Sequence, residues 1–347
     1  MKNFNKKFWK NKKVFITGHT GFKGSWLCLI LNLLGAKIIG YSLKPKQKSL
    51  YNMAKIHKLM HKNIYSDICN HKKLKKSLIK FKPDYIFHLA AQSIVSEAYK
   101  NPMETFRVNS YGTSCLLDIS SKIHSVKKII IITTDKVYNH KKNLYYTEQD
   151  DLKGNEPYSI SKVAAENMIE YYIHNVSKKI FVARCGNVLG GGDYSNNRLI
   201  PDILKFIKSK KTLPIRNPNH IRPWIHVIEP LIGYLKIASF NKKQSKKTIN
   251  AFNFGPSSKN TKNVNYIVSY FNKHFKFNYT KKKRSTFKET RYLKLNSNKA
   301  KKLLKWKQNW SIDTSLNKVI EWFVLTNKGK SPKKVCDNQI LEYFESL

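Results

Sequence analysis

The glycine turn between the first predicted strand and the first long helix constrains the fold more than any other feature of the sequence. The apolar run Val14–Thr17 leads into the string GHTGFKG at 18–24, and a helix-length apolar segment follows. Glycines at this spacing allow a tight turn, a close approach of the backbone to a pyrophosphate, and close packing of the helix on the strand. The pyrophosphate would sit on the positive end of that helix. We therefore expect a dinucleotide-binding α/β fold.

Strand-length apolar runs alternate with helix-length segments over the first half of the chain. The predicted strands are Lys13–Thr17, Lys37–Tyr41, Tyr85–Leu89, Lys128–Thr133 and Ile180–Arg184, and the predicted helices are Lys23–Leu34, His71–Lys80, Glu104–Lys122 and Ser159–Val176. This alternation predicts a Rossmann-like, doubly wound parallel sheet with helices on both faces. A change of pattern after residue 186 predicts a smaller α/β lobe. We expect a cofactor-binding domain at 8–186, a mainly substrate-binding lobe at 187–330 with some chain returning to the first domain, and a tail at 331–347.

The net charge of +45 raises the possibility of nucleic-acid binding, because phosphate-binding surfaces are basic. However, only seven of the 66 basic residues are Arg, the type favoured for bidentate contacts with phosphates and bases. The lysines are scattered along the whole chain and do not form a groove interleaved with aromatic residues. We interpret the charge as a general bias towards Lys and expect no specific nucleic-acid partner.

Cysteine spacing and hydropathy exclude further classes of protein. None of the five cysteines has the C-x-x-C spacing of a zinc ribbon, so no metal site is expected. The longest apolar stretch, Trp26–Ala36, contains Asn32 and is shorter than the roughly 20 residues that span a bilayer. We expect a cytoplasmic protein that does not enter a membrane.

A row of three proton-transfer groups follows the apolar run Ile129–Ile132. Thr134, Asp135 and Lys136 supply a hydroxyl, a carboxylate and an amine. An Asp that acts as an acid near neutral pH needs a raised pKa, and a Lys that acts as a base needs a lowered one. Burial favours both shifts, whereas attraction between the two charges opposes them. Alternatively, the triplet is a strand-end turn in which Asp135 caps the next segment.

A second pair of polar residues lies at the start of a predicted helix. Tyr158 and Lys162 are four residues apart, so their side chains share one face of the helix. A phenol has a pKa of about 10, and a nearby ammonium lowers it by stabilising the phenolate. Tyr158 is therefore a candidate base for a substrate hydroxyl.

Together these stretches resemble the extended short-chain dehydrogenase/reductase family. The matching strings are TGHTGFKG at 17–24, HLAAQ at 88–92, VNSYGT at 108–113, TTDKVY at 133–138, YSISK at 158–162 and GNVLGGGD at 186–193. The longer strings RLIPDI at 198–203, IRNPNHIRPWIHVIEPL at 215–231 and NFGP at 253–256 are similar to the branch that dehydrates CDP-glucose. The resemblance covers roughly residues 8–325.

The resemblance implies an NAD-dependent hydro-lyase that converts CDP-glucose to CDP-4-dehydro-6-deoxyglucose for deoxysugar and O-antigen synthesis. Tyr158, assisted by Lys162, would take the proton of the carbon 4 hydroxyl, which Thr134 orients. Asp135 would protonate the departing carbon 6 hydroxyl and Lys136 would take the carbon 5 proton. Many sugar-nucleotide dehydratases carry a carboxylate at the position of Lys136, and UDP-N-acetylglucosamine 4,6-dehydratases share the lysine. The alternatives are therefore a UDP-N-acetylglucosamine 4,6-dehydratase and an NAD-dependent sugar-nucleotide 4-epimerase. An epimerase, however, needs neither Asp135 nor Lys136.

The resemblance also implies a set of cofactor contacts. They are Gly18, His19, Thr20, Gly21, Phe22, Gly24, Asp67, Ile68, Leu89, Ala90, Ala91, Gln92, Asn109, Tyr158 and Lys162. His19 departs from the family pattern and would either weaken the hold on the cofactor phosphates or face solvent. No acidic residue follows the second strand near Ser42, where the ribose hydroxyl would bind, and Lys44 and Lys46 leave NADP open. Asp67 would reach the adenine or lie in a solvated loop.

Substrate contacts are implied for a second set of residues. They are Asn187, Arg198, Leu199, Arg216, Arg222 and Arg291, each alternatively a surface or turn residue. We expect Trp224 and Phe254 to belong to the core and not to stack on a nucleobase. The resemblance further implies a homodimer, joined by a bundle of the predicted helices Glu104–Lys122 and Ser159–Val176.

Overall fold

The computed structural model describes residues 6–139, 145–175, 179–241, 250–282 and 290–347. The strands are β1 Lys13–Thr17, β2 Lys37–Ser42, β3 Lys62–Tyr65, β4 Tyr85–His88, β5 Lys128–Ile132, β6 Lys179–Cys185, β7 Val188–Leu189, β8 Leu213–Arg216, β9 Ile221–Arg222, β10 Ile225–His226, β11 Ala251–Phe254, β12 Lys262–Asn263 and β13 Tyr279–Lys282. The helices are α1 Lys6–Trp9, α2 Phe22–Leu33, α3 Leu50–Met53, α4 His71–Phe81, α5 Val95–Lys100, α6 Pro102–Phe106, α7 Gly112–Ser121, α8 Pro157–Asn175, α9 Leu199–Ser209, α10 Ile228–Ser239, α11 Val264–Phe275, α12 Asn298–Leu304, α13 Ile312–Asn327 and α14 Pro332–Glu345.

Seven parallel strands form the central sheet in the order β11-β6-β5-β4-β1-β2-β3. This order confirms the predicted Rossmann-like, doubly wound class. The chain reverses its direction of travel through the sheet between β1 and β4, and such a switch point leaves a crevice at the carboxyl ends of the strands. The predicted strands agree with the observed bounds to within one residue at each end.

Apolar layers cover both faces of this sheet, which explains the continuous apolar runs of the sequence. Successive side chains of a strand point to opposite faces. Ile130 and Ile132 of β5 pack in the core that contains Trp26, whereas Ile129 and Ile131 pack on the other side with Leu116. The buried strands hold the site-bearing loops at one rigid edge.

The predicted helix Glu104–Lys122 is interrupted in the structure. A π-helical turn at Arg107–Tyr111 separates α6 from α7. The side chain of Asn109 in this turn accepts a hydrogen bond from Gln92 N and donates to Gln92 O, both at 2.9 Å. The spacing of apolar residues in the sequence does not reveal this π-helical turn, because the buried face of the helix continues through the turn. The other predicted bundle helix is α8, and Val176 lies outside the described residues.

The second half of the chain builds a smaller lobe and also returns to the sheet. A separate apolar cluster, which includes Leu213, Val268 and Leu316, fills the smaller lobe. The returning elements are β11 at the sheet edge and α10, whose apolar residues join the main core. Within the described ranges, no helix has the length and hydropathy needed to cross a membrane.

The segment expected to be a tail is helix α14, which packs into the main core. Cys336, Ile340 and Tyr343 are fully buried there. Tyr343 donates a 2.5 Å hydrogen bond to the buried carboxylate of Glu229. The other oxygen of Glu229 accepts bonds from the backbone N–H groups of Asn309 and Trp310. Burial raises the pKa of Glu229 from 4.5 to about 7.

We expect Glu229→Gln to flatten the dependence of folding stability on pH. The unfolded chain ionises Glu229 near pH 4.5 and the folded chain near 7, so its contribution is complete below 4.5 and is lost as pH rises towards 7. The loss is about 3 kcal/mol over that interval. Glutamine keeps an acceptor for both N–H groups. Unfolding free energies measured across this range test the prediction, with the exposed Glu345→Gln as the control, which should keep the wild-type slope.

Candidate active site

A cavity of about 1140 Å³ lies where β1, β4 and β5 end, between the sheet and the smaller lobe. Most of the predicted site residues line it. They are Gly18, Thr20, Gly21, Phe22, Gly24, Asp67, Ile68, Leu89, Ala90, Ala91, Thr134, Asp135, Lys136, Tyr158, Lys162, Asn187, Arg198, Leu199, Arg216 and Arg222. The predicted residues that are not among its lining are His19, Gln92, Asn109 and Arg291. One space therefore brings the cofactor, catalytic and substrate predictions together.

The glycine turn has the geometry that a phosphate-binding loop requires. Gly18 has φ +75°, and a Cβ there would lie 2.6 Å from the backbone nitrogen of Ala90. A Cβ at Gly24 would collide with the backbone oxygen of Gly18. Gly21 occupies the N-cap of α2, and no side chain caps the helix there. The first N–H groups of α2 are therefore available to a ligand anion.

His19 neither lines the cavity nor faces solvent. Its ring is fully buried beside β2, where it stacks on Tyr65 and bonds Asn63 Oδ1 through Nε2 at 3.2 Å. A Cβ at Gly40 would fall 2.5 Å from the ring, so β2 is shaped around it. Burial lowers the pKa of His19 to about 4, which makes the ring neutral at physiological pH. The solvent-facing alternative is wrong.

Helix α8 begins so that Tyr158 and Lys162 face the cavity. The carboxylate of Glu156 accepts hydrogen bonds from the backbone N–H groups of Tyr158 and Ser159, at 2.8 and 3.0 Å. Ser159 Oγ accepts in return from the Glu156 N–H at 3.1 Å, which completes a reciprocal cap. Pro157 at the first helical position adds a preset backbone angle.

The pKa of Tyr158 is raised to about 12, contrary to the expected lowering. Burial is the largest cause, and the hydrogen bond with Thr134 and the charge of Arg198 offset only part of it. Lys162 is itself buried, and its pKa falls to about 8 because of desolvation and the nearby Lys23. Lys162 Nζ donates to the carbonyl of Ile132 at 3.3 Å. Desolvation of the buried phenol thus outweighs the hydrogen bond with Thr134 and the attraction by the Arg198 guanidinium.

The end of β5 carries a carboxyl group suited to proton donation. Asp135 is almost fully buried, and Oδ1 accepts a 3.1 Å hydrogen bond from the hydroxyl of Thr134. Asp135 Oδ2 has no hydrogen-bond partner among the described residues. Burial raises the pKa of Asp135, although the charges of Lys136 and Arg222 act in the opposite direction. The shift has the direction that a general acid needs.

Comparison with known proteins places the chain in a family. The family model described as GDP-mannose 4,6-dehydratase matches residues 15–319. This chain belongs to the GDP-mannose 4,6-dehydratase family of extended short-chain dehydrogenases/reductases. The CDP-glucose 4,6-dehydratase of Salmonella typhimurium is 36% identical, over 98% of this chain and 98% of that protein. The resemblance seen in the sequence motifs is confirmed.

Solved structures share the fold of this dehydratase family member at lower identity. The dTDP-glucose 4,6-dehydratase of Bacillus anthracis, solved with NAD, gives a TM-score of 0.79 at 22% identity, covering 93% of this chain and 99% of that chain. The UDP-glucose 4-epimerase of Thermotoga maritima, solved with UDP-glucose, gives 0.80 at 22% identity, covering 90% and 99%. At this identity the likeness establishes the fold and leaves the reaction open.

Lys23 is a cation of the dehydratase cavity that the sequence analysis did not select. It follows Phe22 in the first turn of α2 and lines the cavity. Burial lowers its pKa, while Cys185 and Asp135 raise it. Its position in the glycine string GHTGFKG could have identified Lys23 as a site residue, because residues that begin a helix after such a turn face the bound ligand.

A buried ion pair beneath the active site supports the end of β5. Arg184 Nη2 donates to Glu166 Oε2 at 2.5 Å, and both side chains are buried. Thr133 donates its hydroxyl proton to the other oxygen of Glu166 at 2.6 Å. Glu166 therefore ties α8, which carries Tyr158, to the strand that precedes Thr134.

Of the predicted arginine contacts to the substrate, Arg198, Arg216 and Arg222 line the dehydratase cavity, whereas Arg291 does not. Arg198 donates to Ser93 Oγ at 3.0 Å and lies 3.5 Å from Asp193 Oδ2. Arg222 is buried, and its Nη1 donates to the carbonyl of Ile221 at 2.9 Å. Arg291 is exposed and stacks on the ring of Tyr292, outside the cavity lining.

The remaining predictions for this lobe divide in the same way. Asn187, Leu199 and Arg216 line the cavity. Phe254 is buried away from the cavity, as expected for a core residue. Trp224 is also buried, and its Nε1 donates to the carbonyl of Lys262 at 3.2 Å, but it lines the cavity as well.

Proposed function

We propose that this chain is an NAD-dependent sugar-nucleotide 4,6-dehydratase that converts CDP-glucose to CDP-4-dehydro-6-deoxyglucose and water. The full-length similarity to a CDP-glucose 4,6-dehydratase supports the reaction and the nucleotide. The observation that carries the chemistry is Asp135, a buried carboxyl group with one unpartnered oxygen, beside Thr134 and Tyr158 in one cavity. An epimerase has no use for an acid there.

The residues that line the cavity fit a nicotinamide dinucleotide. The uncapped N-terminus of α2 and the close-packed glycines suit a pyrophosphate. Ile68, Leu89 and Ala90 line the adjoining part of the cavity. When bound, NAD supplies the acceptor for the hydride of sugar carbon 4 and the donor of that hydride to carbon 6.

Three side chains move the protons of the reaction, and a fourth positions the substrate. Tyr158, as phenolate, takes the proton of the carbon 4 hydroxyl, and Thr134 holds that oxygen in place. The resulting ketone acidifies carbon 5, from which Lys136 takes a proton. Asp135 gives its proton to the carbon 6 hydroxyl, which leaves as water. Lys136 returns its proton to carbon 5 when the hydride reaches carbon 6. Tyr158 then loses to solvent the proton that it took, and Asp135 regains from solvent the proton that it gave.

The proposal extends to the two parts of the chain, to its assembly and to its place in the cell. Residues 8–186 would bind the cofactor, and 187–330 would mainly bind the substrate. The segment from α6 through the π-helical turn to α7, together with α8, would join two copies. Tyr111 in the turn and Ile160, Met168 and Tyr171 in α8 expose apolar surface there. The five cysteines are free thiols, which fits a cytoplasmic enzyme. Its product would supply deoxysugars for surface polysaccharide.

We expect turnover with CDP-glucose when NAD⁺ is supplied. CDP-glucose, dTDP-glucose, GDP-mannose and UDP-N-acetylglucosamine are tested separately as substrates. Mass spectrometry detects the loss of one water from each sugar nucleotide. Loss of water from CDP-glucose alone supports both the reaction and the nucleotide. Loss of water only from UDP-N-acetylglucosamine would show that this sugar nucleotide, and not CDP-glucose, is the substrate. Epimerisation at carbon 4 without loss of water would overturn the proposal.

A further inference from the structure

Tyr138 directly follows the turn that carries Asp135 and Lys136. Its side chain is fully buried and is not among the residues that line the cavity. Its ring stacks on Tyr146, with 5.1 Å between the centroids and 7° between the planes. The turn itself, Asp135–Val137, is a single 3₁₀ turn. The hydrogen-bond geometry of such short turns is poor, so contacts at their two ends must fix their position.

The start of this turn is tied to α8 and to β6. The hydroxyl of Thr133 donates to the carboxylate of Glu166 at 2.6 Å, and its backbone N–H donates to the carbonyl of Ala183 at 3.0 Å. Thr134 Oγ1 then accepts from the backbone N–H of Lys136 at 3.3 Å. These bonds hold the first part of the turn without any contribution from Tyr138.

The end of the turn is held by the Tyr138 hydroxyl through two buried partners. This hydroxyl donates to Asn253 Oδ1 at 2.6 Å and accepts from Arg184 Nη1 at 3.0 Å. Arg184 and Asn253 are paired neighbours on β6 and β11, and both are buried. The same Arg184 guanidinium bonds both oxygens of Glu166. One hydrogen-bonded network therefore holds both ends of the turn.

The partners of Tyr138 also fix the direction of its hydrogen bonds. Asn253 Nδ2 donates to the carbonyl of Tyr146 at 3.0 Å, so the amide oxygen is the group that faces Tyr138. An arginine can only donate. The phenol hydrogen must consequently point at Asn253, and its lone pair at Arg184. Replacing the hydroxyl would leave a buried donor and a buried acceptor each short of a partner, and such groups favour a rearranged structure.

Other bonds at this end of the turn do not reach the sheet. Backbone N–H groups of Lys153 and Asn139 donate to the carbonyls of Val137 and Asp151, at 2.9 and 2.7 Å. Residues 151 and 153 belong to the connection before α8. The Tyr138 hydroxyl is thus the bond that ties this end to two strands of the central sheet.

We propose that Tyr138 is a positioning residue for the loss of water, because its hydroxyl holds the turn that carries both the acid and the base of that step. The inference rests on the proposed function, in which Asp135 and Lys136 must reach carbons 6 and 5 together. Oxidation of carbon 4 depends instead on Tyr158, which stands on α8 and has its own helix cap. The two steps should therefore respond differently to a loss at Tyr138.

Tyr138→Phe removes one oxygen and keeps the ring that stacks on Tyr146. We expect water loss to slow by about 10- to 100-fold, which is the effect of a small misplacement of reacting groups. Oxidation of carbon 4 should slow by less than about threefold, so reduced nicotinamide should accumulate in a single turnover. The decline of water loss with rising pH should remain, because Asp135 is still present. Single-turnover absorbance and mass spectrometry measure the two steps.

Hydrogen exchange tests the same inference without turnover. In the ligand-free protein, the backbone amides of residues 134–138 should exchange at least about threefold faster in Tyr138→Phe than in the wild type, since the turn opens more often. Amides of α8 should keep their wild-type rates. Should Tyr138→Phe fail to fold, Asn253→Ala removes the acceptor of the same hydroxyl and should give the same two results.

The matched control is Tyr343→Phe. Tyr343 is also a fully buried tyrosine, its hydroxyl donates to a buried carboxylate, and it does not line the cavity. Its replacement should lower stability but leave the ratio of the two rates and the exchange of residues 134–138 unchanged. A control that changes them as Tyr138→Phe does would overturn the inference, as would equal slowing of both steps or unchanged exchange in Tyr138→Phe. If the wild type removes water from no sugar nucleotide while Tyr138→Phe still loosens the turn, the proposed function alone is wrong.

Discussion

Tyr158→Phe is expected to lower kcat with CDP-glucose by about 10²–10⁴-fold, the range over which a positioned acid or base accelerates a reaction. The phenyl ring keeps the buried packing, so the change removes only the oxygen that takes the carbon 4 proton. Because burial raises the pKa of Tyr158 to about 12, the oxidation of carbon 4 in the wild type, which is the step that uses the phenolate, should become faster as pH rises. Steady-state rates measure the loss of kcat, and single-turnover formation of reduced nicotinamide over a range of pH measures the oxidation step.

Tyr145→Phe is the control for this experiment. Tyr145 is 37% exposed and is not among the residues that line the cavity. It should retain the wild-type rate and pH profile. A Tyr158→Phe protein that folds and keeps more than about a tenth of the wild-type rate would contradict the assignment of Tyr158 as the base.

The parts of the fold that sequence predicts are those fixed by local pattern. Strands buried on both faces appear as continuous apolar runs, and the GHTGFKG turn has few alternatives once a strand precedes it and a helix follows. The cavity residues follow from the same logic, because loops at the carboxyl ends of parallel strands meet at one edge. Asp135 and Tyr158 are 23 positions apart in the sequence, yet both line that edge.

Features that depend on distant contacts were not predictable. The ring of His19 is buried by the space that Gly40 leaves in β2, which local sequence does not show. Helix α14 spans 14 residues of mixed polar and apolar character, and its docking depends on distant partners such as the buried carboxylate of Glu229, which Tyr343 contacts. The raised pKa of Tyr158 reflects a balance in which desolvation exceeds attraction by a cation, and that balance depends on depth of burial.

Asp135→Asn is expected to separate the oxidation of carbon 4 from the loss of water. Asparagine preserves the shape of the side chain and can still accept from Thr134, but it has no proton to give to the carbon 6 hydroxyl. Water loss should slow by about 10²–10⁴-fold. Tyr158 still removes the carbon 4 proton, so reduced nicotinamide should accumulate in a single turnover and decay slowly. Stopped-flow absorbance and mass spectrometry of the sugar nucleotide follow the two steps.

Asp151→Asn provides the control, because Asp151 is an exposed carboxylate outside the cavity lining. It should show no accumulation of reduced nicotinamide. In the wild type, water loss should weaken as pH rises through the raised pKa of Asp135, since the protonated form is the donor. The residual reaction of Asp135→Asn should lack this decline. If both steps slow equally in Asp135→Asn, the carboxyl group acts before the elimination, and its assignment as the acid for carbon 6 is wrong.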